Sequence, residues 1–214
     1  MNSLAVVAHH DDVILWMGGT VQHLRSLGWN WHVVCFCTHN LPDRRQYFER
    51  LCAALGVKHT VFEFDDYPGG KCFAQNSCEE MTTALVKAVA GEKFDLVFTH
   101  SPTGEYGWHA NHGEVAEVVT ALVKGGSLTT GLDRLAYFCY APFCGRLATV
   151  ARTDATHYLQ LTYEELYFKC RWCKDVPDPY NLKGIGFACP NPEAFWGERL
   201  TLPIPPFIAG QPRQ

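Results

Sequence analysis

The stretch Ala5–Thr20, AVVAHHDDVILWMGGT, decides how the rest of the chain is read. The segment Ser3–His9 is short, continuous and rich in valine and alanine, the pattern of a strand buried on both faces. It stops at His9, His10, Asp11 and Asp12. From Asp12 to Gly28 the sequence DVILWMGGTVQHLRSLG reads as a helix closed by a glycine at its C-terminal end. Two imidazoles and two carboxylates therefore stand at the joint between a buried strand and a helix, where desolvation is costly. A helix start favours Asp, because its carboxylate accepts free N–H groups and suits the helix dipole. Capping alone would account for Asp11 and Asp12, with His9 or His10 then read as surface residues.

The same alternation continues for two thirds of the chain. Trp31–His39 (WHVVCFCTH), His59–Phe64, Phe94–His100 and Arg134–Tyr140 read as further strands. Between them, helices are expected over Pro42–Gly56, near Cys78–Ala90 and over Asn111–Gly125. Alternating strands and helices predict an α/β fold, a mostly parallel sheet flanked by helices on both faces. After about Pro142 the pattern loosens. A short strand is expected near Tyr158, then a helix opened by Thr162 with Glu165 as a capping box. From Val176 onward there is no periodicity, and an irregular segment capping a single domain of residues 1–214 is expected.

Composition narrows the function. The 214 residues are 47% hydrophobic and only 19% charged, enough apolar matter for one large core and too little charge for a disordered chain. A net charge of −4 leaves no basic footprint for nucleic acid or an acidic membrane. No apolar run approaches the roughly 18 to 20 residues of a membrane span. The start Leu4–Ala8 lacks the basic flank of a secretion signal, so a cytoplasmic location is expected. The ten cysteines are scattered and expect to be reduced, small apolar residues. Cys170 and Cys173 form a CxxC with no second pair to close a zinc site; they read as structural, with a redox pair or a metal contact as alternatives.

In a parallel sheet of this kind, ligands bind beyond the carboxyl ends of the strands. His9, His39, Asp65, Asp66 and His100 all fall at such ends, as does the segment Ser101–His112. His9 and Asp12 are three residues apart across a turn and can converge on one point. The segment SPTGEYGWHANHGEV (Ser101–Val115) adds His109 and His112 as HxxH at a helix start. Two imidazoles and a carboxylate with open positions make a catalytic metal site rather than a structural one. Asp11 then stands beside the metal as a general base, and the remaining histidine can stabilise an oxyanion or protonate a leaving amine. A nucleotide-binding protein of the same fold lacks its glycine-rich phosphate loop here, and a two-metal phosphoesterase needs more carboxylates. A metal-binding module without catalysis leaves Asp11 unexplained.

AHHDDVILWMGGT together with GEYGWHANHGEV resembles the paired signatures of the PIG-L/LmbE-like zinc deacetylases. The resemblance spans about Ser3–Val123 and is weaker around Lys169. It implies a Rossmann-like, LmbE-like fold and removal of an N-acyl group, commonly acetyl, from an amino sugar or its conjugate. It implies Zn2+ as the cofactor, with Fe2+ able to use the same ligands. By position, His9, Asp12 and His112 are the metal ligands, Asp11 is the general base, and His109 supports the tetrahedral intermediate. The sequence departs at His10, where the family has Pro, and at Val13, where it has Glu. Arg44 stands near a position where relatives place a substrate-binding Arg.

Around these groups, Asp65 and Asp66 either bind sugar hydroxyls or occupy a solvated turn. Tyr106 and Trp108 flank the HxxH and can stack on a sugar ring. Trp16 reads as core, Gly18 and Gly19 as a close approach of helix and sheet, and His39 and His100 as supporting or structural residues. The expected partner is a small amino-sugar substrate, with no nucleic acid and no membrane span. A homo-oligomer is compatible with all of this.

Overall fold

The structure is a computed structural model that describes residues 1–64, 78–105, 109–128, 134–143, 148–177, 189–197 and 200. Strands β1 (Asn2–His9), β2 (Asn30–Cys37), β3 (Lys58–Val61), β4 (Leu96–Thr99) and β5 (Leu135–Phe138) alternate with helices α1 (Asp12–Ser26), α2 (Pro42–Leu55), α3 (Cys78–Ala88) and α4 (Ala110–Lys124). β6 (Tyr140–Phe143) and β7 (Ala148–Ala151) form a separate antiparallel pair. β8 (His157–Leu159), α5 (Tyr163–Lys174) and β9 (Glu193–Trp196) complete the described elements. The main sheet has the order β3-β2-β1-β4-β5-β9-β8.

β1 through β5 are mutually parallel, as the alternation predicts. β1 pairs with β2 on one side and with β4 on the other, so the connections diverge at the β1/β4 boundary. That boundary is the topological switch point, where helices part and leave a crevice. β9 pairs antiparallel with both β5 and β8.

Period-two alternation divides the β1 side chains between two apolar layers. Ala5 and Val7 join a core with α1, α2 and α5, including Trp16, Phe48, Phe98, Phe138 and Phe195. Leu4, Val6 and Ala8 join a second core with α3 and α4, including Met81, Leu85, Val115 and Val119. Helix ends fall where their residues dictate. Gly56 closes α2 at φ 66, a left-handed conformation that glycine adopts without a Cβ clash. Thr162 and Glu165 open α5 with the reciprocal bonds of a capping box.

Two features depart from the sequence reading. The segment past Val176 was expected to be irregular, yet Glu193–Trp196 enters the main sheet as β9. It is too short to show a period, and it buries a glutamate that a hydropathy pattern assigns to solvent. Helix α1 is also broken: Met17 has φ −150 and ψ 16, outside helical values, just before Gly18 and Gly19. A Cβ at Gly19 would lie 2.2 Å from Leu161 Cδ2, so any other residue there would have to displace the Leu161 side chain. Among the described residues no helix is long and apolar enough to cross a membrane. Among the described residues, the cysteines at 35, 37, 52, 139 and 173 are buried.

Candidate active site at the sheet switch point

His9 is the last residue of β1, and Asp12 is the first of α1. Asp11, the N-cap of α1, makes no side-chain capping bond, so capping does not explain its carboxylate. His109 is the N-cap of α4 and His112 lies in its first turn. The β1/β4 pairing brings both helix starts to one crevice.

There the side chains converge. His9 Nδ1 lies 3.2 Å from His112 Nε2 and 3.4 Å from Asp12 Oδ2, and His112 Nε2 lies 3.6 Å from Asp12 Oδ1. Ligand atoms around a tetrahedral zinc, at bonds of about 2.0–2.1 Å, stand about 3.3–3.4 Å apart. Two imidazole nitrogens and a carboxylate at these spacings are donors of the type that holds a divalent ion. His109 packs its ring 4.7 Å from that of His9 and 4.6 Å from that of His112. Its nitrogens fall close enough to join His9 and His112 in a second grouping able to hold a metal.

The support around these donors is buried and charged. Asp12 Oδ2 accepts the His9 backbone N–H at 2.6 Å, and Asp12 Oδ1 accepts the Trp16 indole N–H at 3.2 Å. Burial alone would raise the Asp12 carboxyl. The charges of His100 and His112, with hydrogen bonds from His100 and His9, hold it well below the usual carboxylate range. Glu105 receives His112 Nδ1 at 2.5 Å and His100 Nδ1 at 3.1 Å, and accepts the Ser101 N–H at 2.9 Å. Against its own burial, the two imidazoles lower the Glu105 carboxyl to about 2. A proton fixed on His112 Nδ1 turns Nε2 toward His9 and Asp12, the arrangement by which an outer carboxylate orients a metal-binding histidine.

His100 is a supporting group, as its strand-end position predicts. Its Nε2 lies 2.9 Å from the Ala8 backbone nitrogen and 3.1 Å from Asp12 Oδ2. Burial disfavours its charge, but Glu105 and Asp12 on either side raise its pKa to about 9. In the charged form both ring nitrogens carry protons. In the neutral form Nε2 accepts the Ala8 N–H. Neither form offers a metal a lone pair, although His100 lies within reach of one through Asp12 and His112.

The neighbouring residues sort by face. His10 turns its ring edge-on to Tyr47, 5.9 Å away, and burial lowers its pKa. Val13 is fully buried in the α1 core. Arg44 is buried on α2, where its charge also lowers the pKa of His10. At the end of β2, His39 and Asn40 adopt φ 58 and 53, a left-handed pair that non-glycine residues rarely form. Glu63 holds this turn through the Thr38 and Asn40 N–H groups, and it brings the His39 ring to 6.0 Å from that of His9. Asp65, Asp66, Tyr106 and Trp108 lie outside the described residues. Glu105 is the group at this site that sequence reasoning missed, though it stands inside the quoted GEYGWHANHGEV segment, ahead of the HxxH.

Several solved structures share the fold. N,N'-diacetylchitobiose deacetylase from Pyrococcus horikoshii matches with a TM-score of 0.65 at 17% identity, over 92% of this chain and 83% of that one. A zinc-inhibited form of the teicoplanin deacetylase Orf2 matches with a TM-score of 0.64 at 12% identity, over 92% and 97%. GalB, the 4-carboxy-2-hydroxymuconate hydratase from Pseudomonas putida KT2440, matches with a TM-score of 0.66 at 14% identity, over 95% and 99%. The fold thus hosts a hydratase as well as deacetylases, and does not by itself choose between them. The sequence does: the GlcNAc-PI de-N-acetylase (PIG-L) family model matches residues 4–123, which contain every donor of the cluster. With more than half of its 214 residues matched, the chain belongs to the GlcNAc-PI de-N-acetylase family and is by that membership an N-deacetylase.

Proposed function

We propose that the protein is a zinc-dependent hydrolase that removes an N-acyl group, acetyl in the simplest case, from an amino sugar or its conjugate. The observation that carries this reading is the convergence of His9 Nδ1, His112 Nε2 and the Asp12 carboxylate within 3.2–3.6 Å of one another at the switch point. His9, Asp12 and His112 hold the ion. A bound divalent cation supplies Lewis acidity, polarising an amide carbonyl and acidifying an attacking water. Asp11 takes the proton from that water as it attacks the acyl carbon. His109, at the N-cap of α4, faces the developing oxyanion and returns a proton to the departing amine. Arg44, Asp65, Asp66, Tyr106 and Trp108 are assigned to the sugar.

Elemental analysis of the wild type and of His9→Ala, Asp12→Ala and His112→Ala tests the ligand set. About one zinc per chain in the wild type, lost from all three variants, is the expected result. No metal in the zinc-supplied wild type overturns it; iron in its place changes only the ion. Turnover of an N-acetyl amino-sugar panel is then scored by free amine. Asp11→Asn is expected to keep the metal and lose at least about 100-fold in rate. Normal turnover by that variant removes Asp11 as the base.

A further inference from the structure

The break in α1 is held open by side chains from the opposite end of the chain. In a regular helix the Thr20 N–H bonds to the Trp16 carbonyl, four residues earlier. Here both ends of that rung find partners elsewhere. Thr20 N–H and Gly19 N–H donate to the Glu193 carboxylate at 2.6 and 2.9 Å, and the Thr20 hydroxyl adds a third bond at 2.7 Å. The Trp16 carbonyl accepts the Tyr140 hydroxyl at 2.5 Å. Tyr140 in turn accepts the Ala194 backbone N–H at 3.0 Å, next to Glu193. Lys169 Nζ neutralises Glu193 at 2.7 Å and donates to the Pro190 carbonyl at 3.0 Å.

The Lys169 and Glu193 side chains are both fully buried. A buried ion pair is a weak source of stability, because desolvation offsets much of its attraction, whereas its geometric demands are strict. What it fixes is the turn of α1 at Gly19 and Thr20, directly after the break and next to Trp16. Trp16 packs its ring 5.1 Å from that of Tyr140 and donates its indole N–H to Asp12 Oδ1. A continuous chain of contacts therefore runs from Lys169 through Glu193 and Tyr140 to Trp16 and the Asp12 carboxylate. Glu193, Tyr140 and Lys169 all lie outside residues 4–123, the span matched by the family.

We propose that Glu193, Tyr140 and Lys169 are positioning residues for the metal-binding carboxylate: they set the break in α1 and, through Trp16, the orientation of Asp12. The inference rests on the metal reading above. It is tested with Co2+ alone, using the visible absorption of the bound ion and its dissociation constant by chelator competition. The proteins are wild type, Tyr140→Phe, Glu193→Gln and Phe195→Leu. Phe195 packs in the same strand but takes no part in the network, so its variant controls for destabilisation alone. Tyr140→Phe removes one hydroxyl and keeps the ring, so it decides the matter if Glu193→Gln fails to fold.

Tyr140→Phe and Glu193→Gln are expected to bind Co2+ about 10-fold or more weakly, with a changed visible spectrum. Phe195→Leu keeps wild-type affinity and spectrum despite its lower melting temperature. Wild-type affinity and spectrum in folded Tyr140→Phe overturn the proposal and leave the network as packing. Equal weakening in Phe195→Leu overturns it too. A wild type that binds no Co2+ is a different failure: it removes the metal reading, and this inference with it.

Discussion

The sheet is two constructions that meet at β5. From β3 to β5 the strands are parallel, β1 to β4 are each followed by a helix, and their carboxyl ends gather His9, His100 and the segment leading to His112. From β5 to β8 the pairing is antiparallel, and β9 contributes no residue to the His/Asp cluster. Its contributions are Phe195, packed against Phe98 and Phe138, and Glu193, bonded to the broken helix. One side of the sheet presents reactive groups to a crevice. The other side spends its polar groups on holding the first in shape.

The largest expected stability effect tests whether the two sides are one body. Phe195→Ala removes a fully buried ring from between Phe98 and Phe138, and should cost about 3–5 kcal/mol in urea unfolding. A single shifted transition means one cooperative unit; two transitions would break the comparison into separate domains. Glu105→Gln tests the other side. It removes the carboxylate that orients His112 and should weaken metal binding about 10–100-fold in chelator competition. Thr162→Ala takes the cap from α5, a helix that contributes no donor to the His/Asp cluster. It should cost about 1 kcal/mol and leave metal affinity alone.

The smallest effect is a pH dependence in β8. His157 is buried, and burial lowers its pKa in the folded state. The unfolded chain takes up a proton near 6.5, while the folded one resists it. The stability term is therefore intact above pH 6.5 and is lost as pH falls from there through the lowered folded value. Between pH 7.5 and 5.5 the wild type should lose more melting temperature than His157→Gln. Equal losses would assign the acid sensitivity elsewhere.

The parallel side was legible in the sequence because its central strands are continuous apolar runs buried on both faces and its helices α2 and α4 end at glycines. The joint at His9–Asp12 was legible because polar residues interrupt an apolar run where burial makes them costly. HxxH stood out for the same reason. Glu105 was not, since a single acidic residue in a glycine-rich loop looks like any solvated turn until folding buries it between two histidines. β9 and the break at Met17 were hidden more deeply. β9 depends on pairing with β5 and β8, and the break on contacts more than a hundred residues away in sequence; neither leaves a local period to detect.

His9 and His112 meet across 103 positions of sequence. A growing polypeptide that has exposed its first strand and helix owns only part of a coordination shell, and a truncated product ending before α4 owns no more. Ion capture is thus tied to late assembly: β4 must slot beside β1, and α4 must follow it, before the donors coincide. On the ligand set proposed above, metal content per chain would read out the fraction of protein whose central crossover has closed.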